Sequence, residues 1–115
     1  MSLLAVYGTL NQNNYNHFLL EESEYLGKDV TEPEWTMYDL GPYPCISPNG
    51  KTPITIEVYK INERINRTID RLEGYPHYYD KKEINTRFGP AIVYFINDID
   101  KINHPIRDII TSGEW

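Results

Sequence analysis

The chain has 115 residues, 40% of them hydrophobic and 24% charged, which fits one folded domain over residues 1–115 and argues against intrinsic disorder. Its only cysteine excludes an intramolecular disulfide and a metal site built on paired thiolates. Seventeen acidic and eleven basic residues give a formal charge of −6, and this sign disfavours nucleic acid and anionic membranes as partners.

The first half of the chain predicts three strands and one helix. The apolar run over residues 3–7 is typical of a buried strand that leads into a turn. An asparagine-rich capping segment followed by apolar residues at helical spacing predicts a short helix over residues 14–22. Residues 25–30 and 35–40 predict short strands. Residues 41–44 predict a shaped loop, because their prolines cannot continue a ladder.

The second half predicts three strands and two helical segments. The strands cover residues 54–59, 82–88 and 91–96, and the first has the two-residue period of a half-buried strand. Asn49-Gly50 signals a hairpin turn, and Gly89-Pro90 is predicted to turn the chain again. A cap, apolar residues three and four apart and a closing glycine predict a helix over 63–73. Residues 105–111 predict one or two helical turns. The fold class is therefore α+β with a mixed sheet.

The apolar segments are short. The longest runs cover residues 3–7 and 91–96, whereas a helix that spans a bilayer needs about 20 apolar residues. The N-terminus also lacks the basic region and the apolar stretch of a signal peptide. We therefore expect a cytoplasmic protein.

The turn after the first strand is one candidate site. A buried strand that stops at Gly8-Thr9 leaves backbone N–H groups of Tyr7-Gly8-Thr9-Leu10 without ladder partners. Such groups can bind a carboxylate or an oxyanion, and glycine lets a ligand come close. A plain strand-to-loop turn has the same pattern, and on spacing alone that interpretation is favoured.

Glu73 is the second candidate. It lies at the C-terminal end of a predicted helix, where unpaired carbonyl groups carry partial negative charge, so we expect its pKa to be raised. A raised pKa makes a glutamate a better general base at neutral pH. The neighbouring Tyr75, Tyr78 and Tyr79 are expected to bury Glu73 in part and to add hydrogen bonds. The alternative is a solvated residue at a helix end. Asp70, one turn earlier, is either the acid of interest or a partner of Arg67 or Arg71.

Other chemistries have weaker support. His17, His77 and His104 lack the spacing of metal ligands, so no metal site is predicted. Cys45 could form a nucleophilic pair with a histidine, but a lone cysteine is more often a small core residue. The sequence contains no phosphate loop, nucleophile elbow or dinucleotide fingerprint.

Two motifs taken together resemble a known family. Tyr7-Gly8-Thr9-Leu10 and Asp70-x-x-Glu73-Gly74-x-Pro76-x-x-Tyr79 are similar to the γ-glutamylcyclotransferase-like family, and more narrowly to its γ-glutamylamine cyclotransferase (AIG2-like) branch. The loop Leu40-Gly41-Pro42-Tyr43-Pro44, the strand Glu57-Val58-Tyr59 and the tail at residues 112–115 also resemble segments of that family.

The resemblance implies a fold, a reaction and residue roles. The fold is a small mixed β-barrel with flanking helices. The reaction is an intramolecular cyclisation, in which the α-amine of a γ-glutamyl-amine substrate attacks its own γ-carbonyl to form 5-oxoproline and release the attached amine. Glu73 acts as the acid/base, and Tyr7, Gly8, Thr9, Leu10, Tyr43 and Tyr79 bind the substrate. No metal or organic cofactor is required.

Two positions depart from the family pattern. Lys81 stands where the family often has arginine, and Ile56 stands where a glycine usually precedes the strand glutamate. These departures keep an alternative open: a non-catalytic module of the same fold that binds a small carboxylate or a protein. Tyr43, Tyr75 and Trp115 are candidates to line the site of the leaving amine, whose identity the sequence does not specify. The oligomeric state is also left open.

Overall fold

The computed structural model describes residues 2–102 and 105–115; Met1, Asn103 and His104, the last of them one of the three histidines considered above, lie outside this range. Within the described residues the chain forms eight strands, one α-helix and two short 3₁₀ helices. The strands are β1 (Ser2–Val6), β2 (Glu24–Val30), β3 (Trp35–Asp39), β4 (Pro44–Pro48), β5 (Thr55–Ile61), β6 (Asp80–Thr86), β7 (Gly89–Phe95) and β8 (Asp108–Ile109). The helix α1 (Glu63–Glu73) follows β5, and the 3₁₀ helices cover His17–Leu20 and Ile99–Lys101.

The strands form two sheets. A mixed five-stranded sheet has the order β2-β5-β1-β7-β6, in which β1 pairs antiparallel with β5 and parallel with β7. A smaller antiparallel sheet has the order β4-β3-β8. The sheets meet where the Ile96 N–H donates to the Ile46 carbonyl at 2.9 Å.

The central strand β1 is buried on both faces, which explains its continuous apolar sequence. Leu4 and Val6 pack into a core that includes Ile65 and Ile69 of α1. Ala5 and Tyr7, on the opposite face, pack into a second core, whose members from the smaller sheet are Trp35, Met37 and Ile46. The end of β1 is therefore held between the helix and the smaller sheet.

The helix α1 has the predicted bounds, and local interactions account for both ends. The Asn62 side chain accepts a hydrogen bond from the Ile65 N–H at 2.9 Å, which caps the first turn. Gly74 ends the helix with a φ of +66°, a left-handed conformation that glycine adopts at little cost. Buried Ile65 and Ile69 lie one turn apart and fix the helix on the large sheet. No helix among the described residues has the length and apolar character needed to cross a membrane.

The predicted barrel is wrong, because the strands form two open sheets instead of one closed ladder. In the described residues, β3 pairs with β4 and β8 and makes no ladder with the edge strands of the larger sheet. The mixed α+β class is confirmed.

The helix predicted over residues 14–22 is wrong in length, since only His17–Leu20 is helical, as a 3₁₀ turn. Asparagine side chains compete with helical hydrogen bonds here: Asn16 Nδ2 donates to Thr9 Oγ1, and Asn13 has a φ of +69°. The helical turns predicted over residues 105–111 are also wrong. Asp108–Ile109 forms the edge strand β8 on β3.

The predicted hairpin at Asn49-Gly50 is a turn between two sheets. Asn49 has a left-handed φ of +75°. The strands on either side of it do not pair with each other: β4, which was not predicted, pairs with β3, whereas β5 pairs with β1 and β2. Pro44, assigned to the predicted loop, is the first residue of β4.

Two further predictions about strands fail. Gly89 and Pro90 are the first two residues of β7 and do not form the predicted turn. The turn between β6 and β7 lies at residues 87–88. The strand β5 is not half-buried, because Glu57 and Tyr59 on its supposedly polar face are only 6% and 1% exposed.

Candidate active site

A cavity of about 280 Å³ opens where β1, β4 and the C-terminal end of α1 come together. It is lined by residues 5–10, 15–16, 43–44, 72–73 and 78–79 and by Tyr94. All seven residues that the sequence predicted as catalytic or substrate-binding lie in this lining: Tyr7, Gly8, Thr9, Leu10, Tyr43, Glu73 and Tyr79. The fold thus brings together two motifs that are some sixty residues apart in the chain.

The loop after β1 is held by its carbonyl groups and side chains. The Gly8 carbonyl accepts from the Asn11 N–H at 2.9 Å, and the Thr9 carbonyl accepts from the Asn16 N–H at 3.0 Å. Within residues 2–102 and 105–115, the N–H groups of Gly8, Thr9 and Leu10 donate to no protein acceptor. These donors therefore remain available for a ligand in the cavity.

Position 8 requires glycine because the backbone there packs closely against the Pro44 ring in the cavity wall. A Cβ at this position would lie 2.8 Å from Pro44 Cγ and 2.9 Å from Pro44 Cδ, which is inside van der Waals contact. Any larger residue would push the loop away from β4. Glycine here therefore fixes the distance between two walls of the cavity.

Glu57 is a residue that the sequence reasoning did not select for the site. It is 6% exposed, and its Oε1 accepts hydrogen bonds from the Gln12 N–H and the Tyr59 hydroxyl, both at 2.9 Å. This carboxylate ties the loop after β1 to the central sheet. The sequence feature that points to Glu57 is its place between Ile56 and Val58, two apolar residues of a strand that is buried on both faces.

Glu73 is the last residue of α1 and is partly buried where it lines the cavity. Burial raises the pKa of its carboxyl from 4.5 to about 7. The predicted direction of this shift is confirmed. Burial causes the shift, as expected from the tyrosines that follow Glu73, and the contribution of the helix end stays a prediction.

Tyrosine side chains form much of the wall around Glu73. The Tyr7 hydroxyl donates to the Tyr94 carbonyl at 2.8 Å, and the Tyr79 hydroxyl donates to the Pro44 carbonyl at 3.3 Å. Burial raises the pKa of both phenols well above 10, with a further contribution from Glu73, so both stay neutral at physiological pH. They give the cavity a rigid, uncharged wall.

Asp70 is not part of the cavity lining. Its carboxylate accepts hydrogen bonds from Lys81 Nζ at 2.9 and 3.1 Å and from the Tyr94 hydroxyl. Asp70 therefore pairs with Lys81, and the expected pairing with Arg67 or Arg71 is wrong. Lys81 stands where the family often has arginine, and it keeps a positive charge beside Asp70.

Two of the aromatic residues expected around the leaving amine lie elsewhere. The Tyr75 ring stacks 4.4 Å below Lys81 Nζ, outside the cavity lining. Trp115 lines a separate polar depression together with Lys28 and Glu114. Of the three expected, only Tyr43 lines the cavity.

The alternative nucleophile, Cys45, is fully buried at the beginning of β4. Burial raises the pKa of its thiol to about 12, so the thiolate is scarcely populated at neutral pH. Among the described residues, no three His, Cys, Asp or Glu side chains cluster as metal ligands would. The chemistry that this cavity offers is proton transfer by one carboxyl beside backbone N–H donors and neutral phenols.

Solved structures place this arrangement in a known class of fold. The crystal structure of protein PH0828 from Pyrococcus horikoshii matches with a TM-score of 0.83 and 27% identity, covering 99% of this chain and 89% of that one. The mouse AIG2-like protein matches with a TM-score of 0.79 over the whole chain and 88% of its own length; at 19% identity this likeness shows the fold alone. The fold is thus that of the AIG2-like proteins.

Sequence comparison gives the family. The family model described as gamma-glutamyl cyclotransferase, AIG2-like, matches residues 4–115. A protein of Vibrio cholerae serotype O1, provisionally named a gamma-glutamylcyclotransferase, is 37% identical over 113 residues, 98% of this chain and 94% of that protein. The chain belongs to the gamma-glutamyl cyclotransferase, AIG2-like family. The resemblance found in the sequence is confirmed, and the family supports a cyclotransferase activity.

Proposed function

We propose that this protein is a γ-glutamylamine cyclotransferase, which converts a γ-glutamyl-amine into 5-oxoproline and the free amine. One observation carries the proposal: the Glu73 carboxyl, with a pKa near 7, lines the same cavity as the unpaired N–H groups after β1. A carboxyl of this pKa is present in both protonation states at neutral pH. It can therefore accept a proton early in the reaction and return it later.

The N–H groups of Gly8, Thr9 and Leu10 hold the γ-glutamyl group and stabilise the oxyanion that develops on its γ-carbonyl oxygen. Hydrogen bonds from the Asn11 and Asn16 N–H groups to the Gly8 and Thr9 carbonyls fix two peptide planes, and with them the directions of the Thr9 and Leu10 N–H groups. Donors that are already oriented need no reorganisation in the transition state. The buried Glu57 supports the same loop from the sheet.

The proposed reaction balances with one acid/base. Ionised Glu73 takes a proton from the substrate α-ammonium, and the free amine attacks the γ-carbonyl carbon. A carbon–nitrogen bond forms, and the carbonyl electron pair moves to oxygen. Glu73 then gives its proton to the departing nitrogen, and the oxyanion electron pair re-forms the carbonyl as the original amide bond breaks. The new ring nitrogen still carries two protons, and it passes one of them through the Glu73 carboxylate to the released amine, which leaves as an ammonium. No water is consumed, nothing is oxidised, and no cofactor is needed. The substrate carries its own nucleophile, so positioning supplies much of the rate.

The test is 5-oxoproline release from a panel of γ-glutamyl-amines by the wild-type chain and by Glu73→Gln. We expect Glu73→Gln to lose at least about 100-fold in kcat/KM, the usual contribution of a general acid/base. In the wild type, kcat/KM rises as pH increases through about 7, because the base form of Glu73 is then populated. The variant lacks this rise.

Glu63→Gln is the matched control, because Glu63 is an exposed glutamate on the first turn of the same helix. It should keep wild-type kcat/KM. Full activity in Glu73→Gln would rule out the assigned role of Glu73. Calorimetric binding of 5-oxoproline without product from any panel member would instead support the non-catalytic binding module.

A further inference from the structure

The cavity has a buried inner end and an exposed mouth. Gly8, Tyr7 and Tyr79 line the inner end and are buried. At the mouth, Tyr15 is 63% exposed and Leu72 is 42% exposed, although both side chains line the cavity. A substrate with its γ-glutamyl group at Glu73 and the loop after β1 must extend its leaving amine toward these two side chains.

Hydrogen bonds across the cavity hold the mouth in shape. The Tyr15 hydroxyl donates to the Pro42 carbonyl at 3.1 Å, which joins the first loop to the loop before β4. The Tyr43 and Tyr78 hydroxyls lie 3.1 Å apart and join that second loop to the segment after α1. The aromatic rings are therefore fixed as walls, with their hydroxyl groups engaged.

The lining carries little charge. Among the described lining residues, Glu73 is the only Asp, Glu, Lys, Arg or His. The nearby cation, Lys81, is paired with Asp70 outside the lining. A carboxylate on the leaving group would find no cationic side chain in the cavity. An ammonium there would find only Glu73, which the proposed reaction assigns to the substrate α-amine. At the mouth, which is open to water, a charged group gains no ion pair of its own and covers less apolar surface than an alkyl group does.

We propose that the mouth is the subsite for the leaving amine and selects small, uncharged, apolar amines, with Leu72 and Tyr15 as the specificity-determining residues. This inference rests on the proposed function. An alkyl or arylalkyl chain covers the exposed Leu72 and Tyr15 side chains and removes apolar surface from water. The cavity of about 280 Å³ lies just below the range of about 300–1,000 Å³ for small-molecule pockets, so it has room for the γ-glutamyl group and a small amine.

Three γ-glutamyl amides of equal chain length test the preference. Their leaving amines are n-pentylamine, 1,4-diaminobutane and 4-aminobutanoate, which end in a methyl group, an ammonium and a carboxylate. We expect kcat/KM for the pentyl amide to exceed both others by about tenfold or more, mostly through KM. The diamine is included because tyrosine rings also attract cations. Equal or better turnover of either charged substrate would overturn the inference.

Leu72→Lys tests the subsite directly. Lysine supplies the missing cation, so the ratio of kcat/KM for the 4-aminobutanoate amide to that for the pentyl amide should rise by about tenfold. Because both substrates depend on Glu73, an effect of the new charge on Glu73 cancels in the ratio of their kcat/KM values. Tyr15→Ser should lower kcat/KM more for the pentyl amide than for the two charged amides. Val30→Lys, at a 55%-exposed apolar residue of β2 outside the lining, is the control and should leave the ratio unchanged.

The outcomes separate the inference from the function on which it rests. Release of 5-oxoproline that depends on Glu73, with an unchanged ratio in Leu72→Lys, overturns the subsite assignment alone. No 5-oxoproline from any of the three amides, or from the wider panel, overturns the proposed function and the subsite assignment with it.

Discussion

At the scale of single residues, Glu73 combines a chemical role with a cost in stability. A partly buried carboxyl whose pKa is about 7 prefers its protonated form, and at neutral pH a substantial fraction must be ionised against that preference. Groups tuned for proton transfer commonly carry such a cost. The position of Glu73 and the direction of its shift followed from the motif and the helix end. The extent of its burial, and with it the size of the shift, required the tertiary structure.

This cost predicts a pH-dependent effect of Glu73→Gln on stability. The folded chain binds more protons than the unfolded chain between the unfolded pKa of 4.5 and the folded pKa of about 7, so wild-type stability falls as pH rises through this window. Neutral glutamine avoids the loss. At pH 8 the variant should be more stable by about 1–3 kcal/mol, and at pH 4 the gain should disappear. Urea unfolding at both pH values measures it. A gain that grows toward acid pH would contradict the assignment.

At the scale of elements, α1 is the part of the fold that follows most directly from its sequence. The cap at Asn62, the buried Ile65 and Ile69 and the closing Gly74 are all local signals, and each has the predicted role. The segment at residues 14–22 shows where such signals fail. Its asparagines bond to the loop after β1, so tertiary contacts replace the predicted helix with a 3₁₀ turn.

Removing the cap of α1 should destabilise the chain without altering the chemistry of Glu73. Asn62→Ala leaves the Ile65 N–H without its partner, and we expect a loss of about 1 kcal/mol in the free energy of unfolding. Asn62→Asp keeps an oxygen acceptor and should lose much less. Thermal and urea denaturation compare the two variants. Equal losses would show that the side-chain acceptor contributes nothing.

At the scale of the whole molecule, the C-terminal segment joins the two sheets. β8 adds to the edge of β3, and four residues later the Gly113 carbonyl accepts from the Thr55 N–H at the start of β5. Gly113 is buried with a φ of +70°, and a Cβ there would lie 1.9 Å from the Pro53 carbonyl oxygen. The chain can make this crossing only with glycine.

Gly113→Ala is therefore expected to destabilise the fold strongly. The left-handed backbone and the backbone clash together should cost more than about 2 kcal/mol. The neighbouring Ser112→Ala, at an exposed position, should stay within about 0.5 kcal/mol of the wild type. The free energy of unfolding from urea titrations tests both. A small loss in Gly113→Ala would mean that the tail moves away from Pro53 at little cost.

The sequence by itself determined the strands of the larger sheet, the bounds of α1, the family and the residues that meet at the cavity. These depend on periodicity, caps and short motifs, which act between residues close in the chain. The tertiary structure alone decided that β4 pairs with β3, that Glu57 anchors the loop after β1, that Asp70 pairs with Lys81, and how far Glu73 is buried. The reason is physical: strand pairing, burial and ion pairing join residues far apart in sequence, and each position has many possible partners until the chain folds.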